Sequence, residues 1–148
     1  MTQSNTKDRG KATEAEVERF LKAQSNRFAQ FNYERLPDAR AAGGRFKAMV
    51  ADFDLARPGL SAFLEAKETE HDYRLTSDRV KQLPRLRKWA LSGRDFAVIV
   101  FHSKIQKWRL VPQSFLGLEG TPTSWDLRSL PLFNSAEEAL RSTGWFYE

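Results

Sequence analysis

Six consecutive apolar residues, Phe96 to Phe101 (FAVIVF), constrain this chain more than any other stretch. The run has strand length and is rich in β-branched residues, and it shows no polar alternation, so it describes a strand covered on both faces. A sheet covered on both faces needs a layer of other structure on each side. The flanking sequence offers helices for those layers. From Lys11 to Gln24, Val17, Phe20 and Leu21 fall at i, i+3 and i+4, with Thr13 as a candidate N-cap and acids in the first turn. Thr76 to Ser92 carries Leu83, Leu86 and Ala90 at helical spacing and stops at Gly93; Pro84 predicts a kinked or late-starting helix, because an interior proline costs about 3 kcal/mol. A third, short helix is predicted over Ser135 to Arg141, where Ser135 and Glu138 have capping-box spacing.

The other strands follow from period-two patterning and turn residues. Arg27 to Leu36 reads as a first strand ending at Pro37, Lys47 to Leu55 as a second, and Leu60 to Lys67 as a third, with Arg57-Pro58-Gly59 turning between the last two. FAVIVF is placed at the sheet centre, with Trp108 to Val111 pairing against it. Residues 1–9 are polar and read as a flexible N-terminal tail, leaving 10–148 as a single domain. The fold class expected is α/β, a mixed sheet flanked by helices.

Composition then limits the chemistry. The absence of cysteine excludes thiolate metal sites and cysteine nucleophiles, and two histidines, His71 and His102, are too few for an imidazole-rich centre. No apolar run of membrane-spanning length and no signal-peptide pattern is present, so a soluble, cytoplasmic protein with no membrane partner is expected, in a host cell if phage-encoded. The net charge of +5 suggests an anionic partner. Its distribution is more telling: Arg74, Arg79, Lys81, Arg85, Arg87, Lys88 and Arg94 stand against one acid, Asp78. This is a candidate footprint for a phosphate backbone, to which Arg40 and Arg45 in a small, glycine-bearing linker could add.

The stretch from Val50 to Glu68, VADFDLARPGLSAFLEAKE, carries the candidate chemistry. Alternation in a strand points Glu65 and Lys67 the same way, with Ala66 opposite. An aspartate on the neighbouring strand would converge with Glu65 into a hard-oxygen site suited to magnesium. Asp52 and Asp54 share a face, so parity does not choose between them. On the first helix Glu14 lies about 20° from Leu21 on an ideal wheel, at the margin of the buried stripe.

These residues together resemble the PD-(D/E)XK nuclease superfamily, and within it the Holliday-junction resolvases of RecU type and archaeal Hjc type. Glu14 follows Gly10 by four positions, as the helical glutamate of both types tends to do. The thirteen residues from Asp52 to Glu65 match the family's spacing and favour Asp52 over Asp54. Phe63-Leu64-Glu65-Ala66-Lys67-Glu68-Thr69 looks like the RecU-type signature, and Gln82 matches a glutamine in the motif that follows.

The resemblance implies a restriction-endonuclease-like fold and makes residues 10–148 a nuclease domain. It implies that Asp52, Glu65 and the Ala66 carbonyl hold Mg2+ or Mn2+, with Glu14 completing the shell. Lys67 would handle the attacking water and Gln82 the phosphate or a metal-bound water, while Arg40, Arg45 and the basic residues from Arg74 to Lys88 grip the DNA. The activity implied is paired symmetric nicking of a four-way junction by a homodimer, whose candidate apolar faces are the first helix and the aromatic C-terminal region; Trp125, Trp145 and Phe146 there read as core or dimer packing. Alternatives from the same residues are a restriction-like or repair endonuclease, and a non-catalytic basic DNA-binding module.

Overall fold

The computed structural model describes residues 6–37 and 49–148. Its elements, in order, are α1 (Thr6–Arg27), β1 (Asn32–Arg35), β2 (Phe53–Arg57), β3 (Leu60–Thr69), β4 (Arg74–Thr76), α2 (Leu83–Leu91), β5 (Asp95–His102), β6 (Lys107–Pro112), α3 (Gln113–Leu116), β7 (Ser124–Asp126) and α4 (Ala136–Arg141); a 3-10 turn, Ser77–Arg79, precedes α2. Five strands form one mixed sheet in the order β1-β2-β3-β5-β6, parallel only between β3 and β5. β4 and β7 pair separately.

Alternation along β3 explains the two layers. Ala62, Leu64 and Ala66 face a core built with Val17, Phe20 and Leu21 of α1 and with Ala139 and Leu140 of α4. Phe63 faces the other way, into a core holding Leu83 and Leu86 of α2, Leu75 of β4 and Trp125 of β7. Burying a leucine or phenylalanine side chain stabilises by about 1.5–3 kcal/mol, so this patterning fixes which face each helix covers. FAVIVF forms β5, interior and covered on both faces. The middle of the sheet goes instead to the ten-residue β3, which pairs with β2 over Leu60–Leu64 and with β5 over Ala62–Thr69. Among the described residues no helix is long and apolar enough to cross a membrane.

Several boundaries differ from the sequence reading. α1 starts at Thr6, so residues 6–9 of the expected tail are helical, and Thr13 is not a cap but a buried helical residue whose Oγ1 donates to the Arg9 carbonyl, 3.1 Å away. β1 is only four residues long because α1 runs on to Arg27. The β2–β3 hairpin closes on Pro58-Gly59 as expected, with Gly59 at φ 81°, a conformation that the second loop position of such a turn demands. α2 starts late, with Pro84 in its first turn where no amide donor is needed. Ser135 caps α4, its Oγ accepting from the Glu138 amide at 3.1 Å.

The aromatic residues Trp125, Trp145 and Phe146, expected as core or dimer packing, serve as core. Phe146 packs edge-on against Phe20 of α1 and beside Phe31, and buried Gln24 of α1 exchanges two hydrogen bonds with the backbone of Tyr147, at 2.9 and 3.2 Å. Trp125 and Trp145 are buried.

Arg87 is also structural rather than part of a DNA-gripping face. It lies 200° around α2 from Arg85, which turns it into the core, where it is only 9% exposed. Its guanidinium donates to the carbonyls of Leu116 (3.0 Å), Gly117 (2.9 Å) and Gly120 (2.7 Å). Arg87→Ala strips three carbonyls of their donor and is expected to destabilise the fold by about 3 kcal/mol or more, read from urea denaturation. The salt dependence of any DNA binding should not change in that variant.

Candidate active site

The site begins where β2 and β3 part. Their ladder ends with Phe53 opposite Leu64, and one step further Asp52 comes opposite Glu65. The backbone bond missing there is replaced by a side chain: the Ala66 amide donates to Asp52 Oδ2 at 2.8 Å. The N–H and C=O of a strand residue face the same neighbour, so the Ala66 carbonyl also faces this gap. Asp54, two pairs back and opposite Phe63, is taken by an ion pair with Arg94, whose guanidinium lies 3.8 Å over the Phe63 ring. Asp52 and not Asp54 therefore meets Glu65.

Glu65 is only 5% exposed. Burial first, then a hydrogen bond with Asp52 and repulsion from it, holds the Glu65 carboxyl well above the usual carboxylate range, against the pull of Lys67. Lys67 Nζ stands 3.8 Å from Glu65 Oε1, on the same face as alternation requires. Two acids forced together in a partly dry place bind either a proton or a cation between them. Oxygen donors of this kind suit magnesium or manganese, which commonly take one or two protein carboxylates and complete their shell with water and phosphate oxygens.

Glu14 does not join the pair: from α1, on the opposite face of the sheet, it goes to Arg35 of the edge strand β1. Arg35 Nη2 lies 2.7 Å from Glu14 Oε2 and Nη1 lies 3.0 Å from Glu18 Oε1, while the Tyr33 hydroxyl donates to Glu18 at 3.0 Å. Burial and then the Asp52 charge raise the Glu14 carboxyl; Arg35 and Lys67 oppose them. Among the described residues no three acids or histidines come together as a metal-ligand group, so Asp52 and Glu65 stand as a pair. Sequence reasoning missed Arg35. Its signal was the step of two from Tyr33, set against the i, i+4 acids Glu14 and Glu18.

Asp52, Glu65 and Lys67 line a cleft of about 340 Å3 together with Asp78, Arg79, Lys81 and Gln82. Gln82 is half-buried at the N-cap of α2 and accepts from Arg85 Nη1 at 3.1 Å. Arg85 and Lys88 are exposed further along the same helix, whereas Arg74 lies on β4 in a separate groove with His71 and Tyr73. Arg40 and Arg45 lie outside the described residues; Pro37 and Met49, on either side of that stretch, both line the cleft. Neither histidine belongs to the cleft. His102 is buried, with Nδ1 2.6 Å from the His71 carbonyl and Nε2 3.2 Å from Arg109 Nη1, and burial lowers its pKa, so it serves as a neutral packing residue.

No family model matches the chain, and no curated protein matches its sequence. Among solved structures the chain is similar to Hjc, a Holliday junction resolvase from the archaeal hyperthermophile Archaeoglobus fulgidus. The likeness covers 84% of this chain and 96% of that one, at 20% sequence identity and a TM-score of 0.50. What the two share is the fold, a restriction-endonuclease-like mixed sheet flanked by helices.

Proposed function

We propose that this chain is a Mg2+- or Mn2+-dependent endodeoxyribonuclease that resolves four-way DNA junctions by paired symmetric nicks as a homodimer, acting on intracellular DNA. The observation that carries the reading is the convergence of Asp52 and Glu65 at the β2–β3 fork, with Lys67 beside them and cations around the cleft. Asp52, Glu65 and the Ala66 carbonyl would hold the ion, with Glu14 within electrostatic reach. Magnesium or manganese, when bound, supplies Lewis-acid polarisation of the phosphate. Lys67 orients the attacking water and offers positive charge to the phosphate as its charge grows. Gln82 donates its amide to a phosphate oxygen, and Arg79 and Lys81 hold the backbone that enters the cleft.

A synthetic four-way junction and a linear duplex of the same arm sequence, each incubated with magnesium, test the reading. Symmetric nicks confined to the junction are expected. Efficient cutting of the duplex would favour a restriction-like or repair enzyme, and binding without cleavage would leave a basic DNA-binding module. Phosphate contact in the cleft has its own signature. Arg79→Ala and Lys81→Ala should each flatten the slope of log affinity against log salt by about 1, measured by fluorescence anisotropy in EDTA.

A further inference from the structure

Three of the four tryptophans, Trp108, Trp125 and Trp145, are buried; Trp89 on α2 is 44% exposed. With Arg85, Lys88 and Ser92 it lines a groove of about 260 Å3 that, among the described residues, contains two cations and no acid. Positions 82, 85, 89 and 92 follow one helical row, so this groove continues from Gln82 in the wall of the catalytic cleft. The indole is held from behind. It meets the Phe63 ring edge-on at 5.8 Å, and the Arg94 guanidinium, ion-paired with Asp54, lies 5.8 Å from it.

A half-exposed indole beside two cations suits nucleic acid better than a second copy of the chain. Two-fold contact through this row would set Arg85 and Lys88 against their own kind, whereas a DNA strand offers a base to the indole and phosphates to the cations. Trp89 lies seven residues beyond Gln82, about 10 Å along the helix. That is the span of about three stacked nucleotides at ~3.4 Å each.

We propose that Trp89 is a base-stacking platform that takes an unpaired or splayed base about three nucleotides from the phosphate in the catalytic cleft, with Arg85 and Lys88 holding the phosphates beside it. The inference rests on the nuclease reading for its position and deepens it: the platform recognises a break in base stacking, which a continuous duplex lacks.

The test uses the full chain in EDTA, where no cleavage occurs, with a gapped duplex and a continuous duplex of the same sequence. Gapped DNA should quench the tryptophan fluorescence of the wild type. Trp89→Ala should weaken gapped-DNA binding by about tenfold and continuous-duplex binding by less than about twofold. Trp89→Phe, which keeps a stacking face, should retain most of the affinity while losing the quenching. Equal losses on both DNAs would overturn the proposal. So would conversion of a dimer to monomers by Trp89→Ala in sedimentation, which would assign the indole to a second copy. Because binding is read without metal, these outcomes are separate from cleavage: a wild type that quenches on gapped DNA but never cuts sinks the nuclease reading alone.

Discussion

Asp52→Asn is expected to reduce magnesium-dependent cleavage by about a thousandfold while leaving the fold intact. The amide keeps an oxygen that can accept the Ala66 N–H, so the fork between β2 and β3 retains the bond that closes it. What disappears is the negative charge that, with Glu65, attracts the cation. Removing one fixed electrostatic partner from a preorganised site commonly costs about 10²–10³-fold in rate, and here half of the carboxylate pair is lost. Asp52→Ala should be equally inactive and also less stable by about 1–3 kcal/mol, since the buried Ala66 amide loses its acceptor. Single-turnover cleavage and thermal melts of both variants distinguish charge from scaffold. Cleavage persisting in Asp52→Asn would remove Asp52 from the site.

Glu65→Gln should abolish cleavage as well, yet stabilise the metal-free protein. The Glu65 carboxyl is raised by burial and by Asp52, so its ionised form is disfavoured in the folded state. The sign follows from proton linkage: the folded chain binds this proton more tightly than the unfolded chain does. Stability is therefore full below the ordinary carboxylate value of 4.5 and is lost as pH rises through the raised folded value. Glutamine cannot ionise, so the variant should escape that loss and gain about 1 kcal/mol near neutral pH, a shift of ~3 °C for a chain of this size. Magnesium should raise the wild-type melting temperature, more so at pH 8 than at pH 5.5, and should leave the variant unmoved. A flat pH profile for the wild type would contradict the buried-acid description of Glu65.

Much of this arrangement is legible in local sequence. Period two across VADFDLARPGLSAFLEAKE and the Pro-Gly turn define the hairpin and put Glu65 beside Lys67. Pro84 accounts for the late start of α2, and the unbroken apolar run of β5 for its burial on both faces. Each of these signals reaches no further than a few neighbours along the chain. The errors lie where a second segment intervenes. Gly10 suggested a boundary, but α1 passes through it because the stripe of Val17, Phe20 and Leu21 is anchored by the sheet and by Phe146. Composition counted Arg87 with Arg85 and Lys88, although a loop thirty residues later supplies the carbonyls that bury it.

Sequence by itself determined the alternation, the turns and the acid-and-lysine strand, because side-chain direction in a strand and hydrogen bonding in a turn are local properties. It left Asp52 and Asp54 equivalent except by analogy of spacing. Tertiary structure separated them, since strand register sets Asp52 opposite Glu65 while Asp54, two pairs back, meets Arg94. Tertiary structure also gave Glu14 to Arg35 and left Trp89 exposed at the end of a cationic row. Which acid meets which cation depends on segments tens of residues apart, and only the packed sheet brings them within the few ångströms over which charges and hydrogen bonds act.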